Sequence, residues 1–139
     1  MCGRGHSLAS LGLLGLGLLV AGCGPQGVQY PQTGATLEGT VTYGKEKVGA
    51  ALVIAQNDSG SATAFVGDDG RFKLENVPLG EVNLAVNTDA GKGQATGKLM
   101  AGAKLKLIDV PKNFADPTRS GIKTTIDKGP NTYNIVIPQ

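Results

Sequence analysis

The chain has 139 residues, 13 Lys+Arg against 11 Asp+Glu, one His and a formal net charge of +2. That length suits one domain, and the even charge balance offers no basic field for nucleic acid. Aromatic residues make up 4% with no Trp, leaving little for base stacking or a sugar platform, and 22 glycines without a fixed period exclude collagen.

Met1–Ser7 is short and polar, and Leu8–Ala21 is an uninterrupted run of Leu, Gly, Ala and Val with one Ser. A helix over that run would span only ~21 Å, short of the ~30 Å hydrocarbon core, and Gly12, Gly15 and Gly17 weaken it further. It reads as the apolar region of a signal peptide covering residues 1–22. The run ends in Leu19-Val20-Ala21-Gly22-Cys23. This resembles the lipobox of bacterial lipoproteins, in which small residues precede a Cys that is acylated and becomes the new N-terminus. The resemblance implies diacylation, with palmitate-class chains, on Cys23, and hence attachment to a membrane. Each buried acyl CH₂ contributes about 0.8 kcal/mol, so two or three chains anchor stably where one does not. Gly24 at the next position resembles an outer-membrane sorting signal and places the protein in the cell envelope, facing the periplasm or the exterior.

Processing before Cys23 removes Cys2, Arg4 and His6. The mature chain then has no His, no free thiol and no disulfide. Ser–His–Asp and Cys–His catalysis are excluded, as are Zn sites built on Cys or His. No catalytic, metal or cofactor-binding residue is expected.

Residues 23–35 contain Pro25, Gly27, Pro31 and Gly34 and read as a flexible tether below a domain over residues 36–139. From Thr36 the dominant period is two. Leu37, Val41 and Tyr43 alternate with polar residues, as do Phe72 and Leu74, Val82 to Val86, Ile122 to Ile126, and Tyr133 to Ile137. Val48, Ala50, Leu52 and Ile54 form a further alternating set. Turn residues separate the runs at Gly44-Lys45, Asn57-Asp58-Ser59-Gly60, Asp68-Asp69-Gly70 and residues 127–131. Pro138 ends the final strand or marks it as an edge. The pattern predicts an all-β sandwich or barrel with no sustained helix, and a mobile loop over Thr88–Gly102. Lys98, Lys104, Lys106 and Lys112 lend the middle of the chain a basic lean, with Lys104 and Lys106 expected on one strand face. A solvated face is the simplest reading, and contact with anionic lipid or polysaccharide the functional one.

Leu37-Glu38-Gly39-Thr40-Val41-Thr42, Val48-Gly49-Ala50, Asp68-Asp69-Gly70-Arg71-Phe72-Lys73-Leu74 and Val77-Pro78-Leu79-Gly80 together resemble the carboxypeptidase regulatory-like domain, which is transthyretin-like. Gly67 and Val82 depart from that family's usual Thr and Tyr. Residues 110–122, with Pro111, Asp116, Ser120 and Gly121, are similar to the ending of a group of small bacterial lipoproteins. The resemblance implies a seven- to eight-stranded Greek-key β-sandwich of transthyretin-like or Ig-like kind, non-catalytic, serving as an accessory or surface module. An enzyme of this fold, hydroxyisourate hydrolase, depends on histidines and a Tyr-containing C-terminus, whereas this chain ends Ile135-Val136-Ile137-Pro138-Gln139.

Sharper readings compete with plain ones. Asp58, Asp68 and Asp69 could ligate Ca²⁺, but Asx turns explain all three. Asp68 and Asp69, adjacent and pointing apart, do not suit glycoside hydrolysis. A Lys–Asn isopeptide crosslink to Asn134 lacks a Lys in the first strand. The expectation is therefore a lipid-anchored envelope module with a structural or binding role. Its partners are the membrane, through Cys23, and an envelope protein or polysaccharide. The alternative is a carbohydrate- or peptide-binding accessory of an envelope enzyme or transport system, with a groove lined by Tyr43 or Tyr133.

Overall fold

The computed structural model describes residues 32–102 and 106–139. The expected signal peptide, Cys23, most of the expected tether and Lys104 lie outside the described residues. Within them the chain forms an all-β sandwich of two sheets, consistent with the alternation of apolar and polar residues. Nine strands and one α-helix follow in order: β1 (Thr36–Tyr43), β2 (Glu46–Lys47), β3 (Leu52–Asn57), β4 (Gly60–Phe65), β5 (Arg71–Glu75), β6 (Gly80–Asn87), α1 (Thr88–Met100), β7 (Ile122–Ile126), β8 (Pro130–Thr132) and β9 (Ile135–Ile137). A 3₁₀ turn at Lys112–Ala115 precedes β7. One sheet runs β4-β3-β6-β7, all antiparallel. The other is centred on β1, with β5 and β2 antiparallel along one side and β8 and β9 parallel along the other. The chain crosses between the sheets after β2, β4, β5 and β7, the crossed connectivity of a Greek key.

The inward residues are the predicted ones on most strands. Leu37, Val41, Phe72, Leu74, Val82, Leu84, Val86, Ile126, Ile135 and Ile137 are buried in one contiguous core. Each such side chain contributes roughly 1.5–3 kcal/mol of apolar burial, which accounts for a core built without disulfides. β9 ends immediately before Pro138, which has no N–H for a further ladder bond.

Four expectations need correction. The segment Thr88–Gly102 is not a loop: Thr88–Met100 is helical. Asn87 Oδ1 caps it by accepting from Ala90 N–H at 2.9 Å, and Asp89 stands in the first turn beside the positive helix end. Thr88, Gly91 and Ala95 are buried along one face of the helix, and these small residues give little apolar signal for a 3.6 period. At Gly91 a Cβ would fall on the Ala50 carbonyl, which is why the closest point is a glycine. The second correction concerns Val48–Ile54. Ala50 adopts φ +54°, and this left-handed residue shifts the alternation by one. Val48, Ala51, Val53 and Ala55 therefore enter the core, while Leu52 and Ile54 lie half-buried on the outer face. The third is the strand count, nine rather than seven or eight. β2 is a two-residue extra, and the C-terminal run is split at Tyr133-Asn134. β4, with only Ala62, Ala64 and Phe65 as apolar signal, went unpredicted. The fourth is Lys106, which lies in irregular chain rather than on a strand.

Two glycines in one helix separate close approach from propensity. Gly93 has open space where a Cβ would sit, whereas Gly91 has none. Gly93→Ala should raise stability by about 0.5–1 kcal/mol through helix propensity. Gly91→Ala should lower it by about 1–3 kcal/mol through overpacking, despite the same propensity gain. Chemical denaturation of the two variants reads both signs.

Candidate functional site

The residues of the recognisable segments are engaged in holding turns and edges together. In the β4–β5 turn, Asp69 Oδ1 accepts from Arg71 N–H at 3.1 Å, and Gly70 takes φ +80° as its N–H reaches Gly67 O at 2.9 Å. A Cβ on Gly67 would press on the Asp69 carboxylate, which accounts for a glycine there. Gly39 is fixed by a closer constraint, since its Cβ would coincide with the Tyr133 carbonyl. Beside it, Asn134 Oδ1 accepts from Thr40 N–H at 3.2 Å and from Thr40 Oγ1 at 3.1 Å, bridging the break between β8 and β9. Asn131 Nδ2 donates to Thr36 O, Asp127 O and Gly129 O at 2.8–3.1 Å, and its Oδ1 accepts from Asp127 N–H.

Residues 116–122 form a second staple. Asp116 Oδ1 accepts from Thr118 N–H at 2.8 Å and Thr118 Oγ1 at 2.7 Å. The buried Ser120 hydroxyl donates to Leu84 O and accepts from Ile122 N–H at 3.2 Å, locking the loop to β6. The Thr118 hydroxyl, its N–H and the nearby Arg119 guanidinium together hold the Asp116 carboxyl below its ordinary value.

The sequence-predicted candidates do not converge. Asp58 stands in the β3–β4 turn and Asp68 and Asp69 in the β4–β5 turn. Among the described residues no group of three or more His, Cys, Asp or Glu could hold a metal ion. Tyr43 and Tyr133 are partly buried and pack against the core. Lys106 pairs with Glu46 across the surface. The Asp109 carboxylate, by its hydrogen bond and charge, raises the Lys92 ammonium above its ordinary pKa. Both pairs are solvent-exposed and screened, so they add little to stability. Lys98 falls within α1 and Lys112 opens the 3₁₀ turn. Cys23 lies outside the described residues, and among those residues no helix is long and apolar enough to cross a membrane.

What sequence reasoning missed is a cleft of about 700 Å³ at one end of the sandwich. Gln32 and Thr33, the β3–β4 hairpin over Ser59–Ala62, and the β5–β6 turn with Asn76, Pro78 and Leu79 line it. Asn76 adopts φ +51°, a left-handed conformation Asn tolerates, and Asn57 Nδ2 donates to Leu79 O at 2.9 Å. Leu79 is 44% exposed at its rim. Thr33 Oγ1 donates to Val77 O at 2.7 Å, so the chain enters the domain beside this cleft. Its walls are mainly apolar, with amide and hydroxyl groups and the Glu75 carboxylate, a lining suited to a polar organic ligand. The only sequence trace of the cleft was the Pro78-Leu79-Gly80 turn. A scan of protein-family models and a search of curated proteins returned no match to this chain.

The depressed Asp116 carboxyl has a signed consequence. Its stabilising share is complete above the unfolded value, about pH 3.9, and is lost as pH falls through the lower folded value. Carboxyl NMR titration should place the Asp116 midpoint below that of an unperturbed Asp. Thr118→Ala should move it upward, because both the hydroxyl bond and the turn geometry are weakened.

Proposed function

We propose that this chain is a lipid-anchored cell-envelope protein whose β-sandwich has a non-catalytic structural or binding role. The single observation that carries the reading is Leu19-Val20-Ala21-Gly22-Cys23, which closes an apolar run too short to span a bilayer. Cys23 is the acyl acceptor, and residues 24–32 reach at most ~30 Å between lipid and domain. Gly24 favours the outer membrane. The carboxypeptidase regulatory-like resemblance fits this role, because its marked residues are Gly39, Asp69-Gly70 and Pro78-Gly80. In this fold they serve turns and close backbone approaches. The mature sequence offers no His or free thiol for nucleophilic catalysis.

A second reading is favoured by the end cleft. In it the module binds a carbohydrate or peptide of the envelope through Asn76, Ser61 and Leu79 and presents it near the anchor. Saturable binding of cell-wall glycan fragments that Leu79→Asp and Ser61→Trp both weaken would support it. Binding unaffected by either variant would move the ligand elsewhere.

The anchor has a direct test. Cys23→Ser should shift the protein from the membrane to the soluble fraction, and the wild-type intact mass should begin at an acylated Cys23. Unchanged fractionation of the variant, or an intact unmodified N-terminus in native material, overturns the proposal.

A further inference from the structure

Each sheet has open edges, and most of them carry the devices that prevent strand addition. β7 presents Lys123, β5 alternates Arg71, Lys73 and Glu75, and β2 is Glu46-Lys47. β8 begins at Pro130, and β9 is only three residues followed by Pro138. β4 is the exception. Gly60-Ser61-Ala62-Thr63-Ala64-Phe65 contains no charge and no proline, and all six residues are in register with β3.

The ladder decides which groups face outward. Val66 N–H bonds Ala51 O at 2.8 Å, so in the β3–β4 register Gly60, Ala62 and Ala64 direct their backbone groups at β3. Ser61, Thr63 and Phe65 therefore direct their N–H and C=O groups at the open edge. All three residues are exposed.

We propose that β4 pairs antiparallel with β4 of a second copy of this chain, about a two-fold axis through Thr63. The strand is self-complementary around that residue. Ala62 and Ala64 flank it symmetrically, Thr63 meets Thr63 of the partner subunit in a hydrogen-bonded pair, and Ser61 meets Phe65 of the partner subunit. No like charges oppose one another along the strand. The neighbouring β5 adds charge complementarity. The Gly60–Ala62 end of the edge lies in the cleft that includes Glu75, and the Phe65 end lies in a groove with Arg71, Lys73 and Glu38, which leave one net positive charge there. The antiparallel arrangement brings the acidic end of each copy toward the basic end of the other. The two four-stranded sheets become one continuous sheet. This inference is independent of the anchor at Cys23.

Sedimentation equilibrium of the full chain, in density-matched detergent, tests it. Wild type should pass from monomer to dimer with rising concentration. Thr63→Lys and Thr63→Glu each place like charges across the axis and should raise the midpoint by about tenfold or more. An equimolar mixture of the two variants should restore the dimer, which separates edge repulsion from misfolding. Thr125→Lys, on the β7 edge, should leave the midpoint unchanged. A wild type that stays monomeric at every concentration reached overturns the proposal. So do charge variants that associate like wild type, or a mixture that fails to associate.

Discussion

Strand β1 is hydrogen-bonded along both of its sides, and its second side is completed only by the last strands of the chain. Bringing Thr36 beside Pro130 closes a loop of nearly the whole domain, at an entropic cost of about 4 kcal/mol. No disulfide offsets that cost. The closure rests instead on Gly39, which admits the Tyr133 carbonyl, and on Asn131 and Asn134, which bond β1 and its flanking turn from the returning strand. Leu37 and Val41 then meet Ile135 and Ile137 in the core. The rest of the sandwich assembles around a strand that is complete only once both ends of the domain are in place.

This arrangement explains what the most recognisable segments of the sequence do for the backbone. A glycine with no room for a Cβ, an aspartate closing a turn and a serine tying a loop back to β6 are demands of the backbone. They leave the surface free to vary. The surface charges mostly occur as exposed pairs such as Lys73–Glu38 at 3.3 Å and Lys123–Glu81 at 3.3 Å, which add little stability but keep most sheet edges unattractive to other strands. The neutral β4 edge and the apolar end cleft stand out against that background, and they adjoin each other along the Gly60–Ala62 hairpin.

Much of the sandwich was legible in the chain because strand burial has a period of two. Where a strand carries Val, Leu, Ile or Phe on its inner face, as β1, β5, β6, β7 and β9 do, local sequence names the core residues directly. The turns were legible for a similar reason: Gly70 and Gly80 adopt the positive φ that their neighbours require. Helix α1 was not. It is held by an Asn cap and by close contact at Gly91 and Ala95, and small residues leave no amphipathic trace. The register of β3 was hidden for another reason, a left-handed Ala50 that no propensity favours and that sits where Gly91 packs.

Sequence by itself therefore determined the all-β class, most of the core positions and the turns, since each depends on residues adjacent along the chain. Tertiary structure alone decided the parallel pairing of β1 with β8 and β9, the docking of α1, the cleft beside Thr33 and the open β4 edge. Each of these joins groups distant in sequence, and their contact depends on backbone shape that local side-chain patterning does not encode.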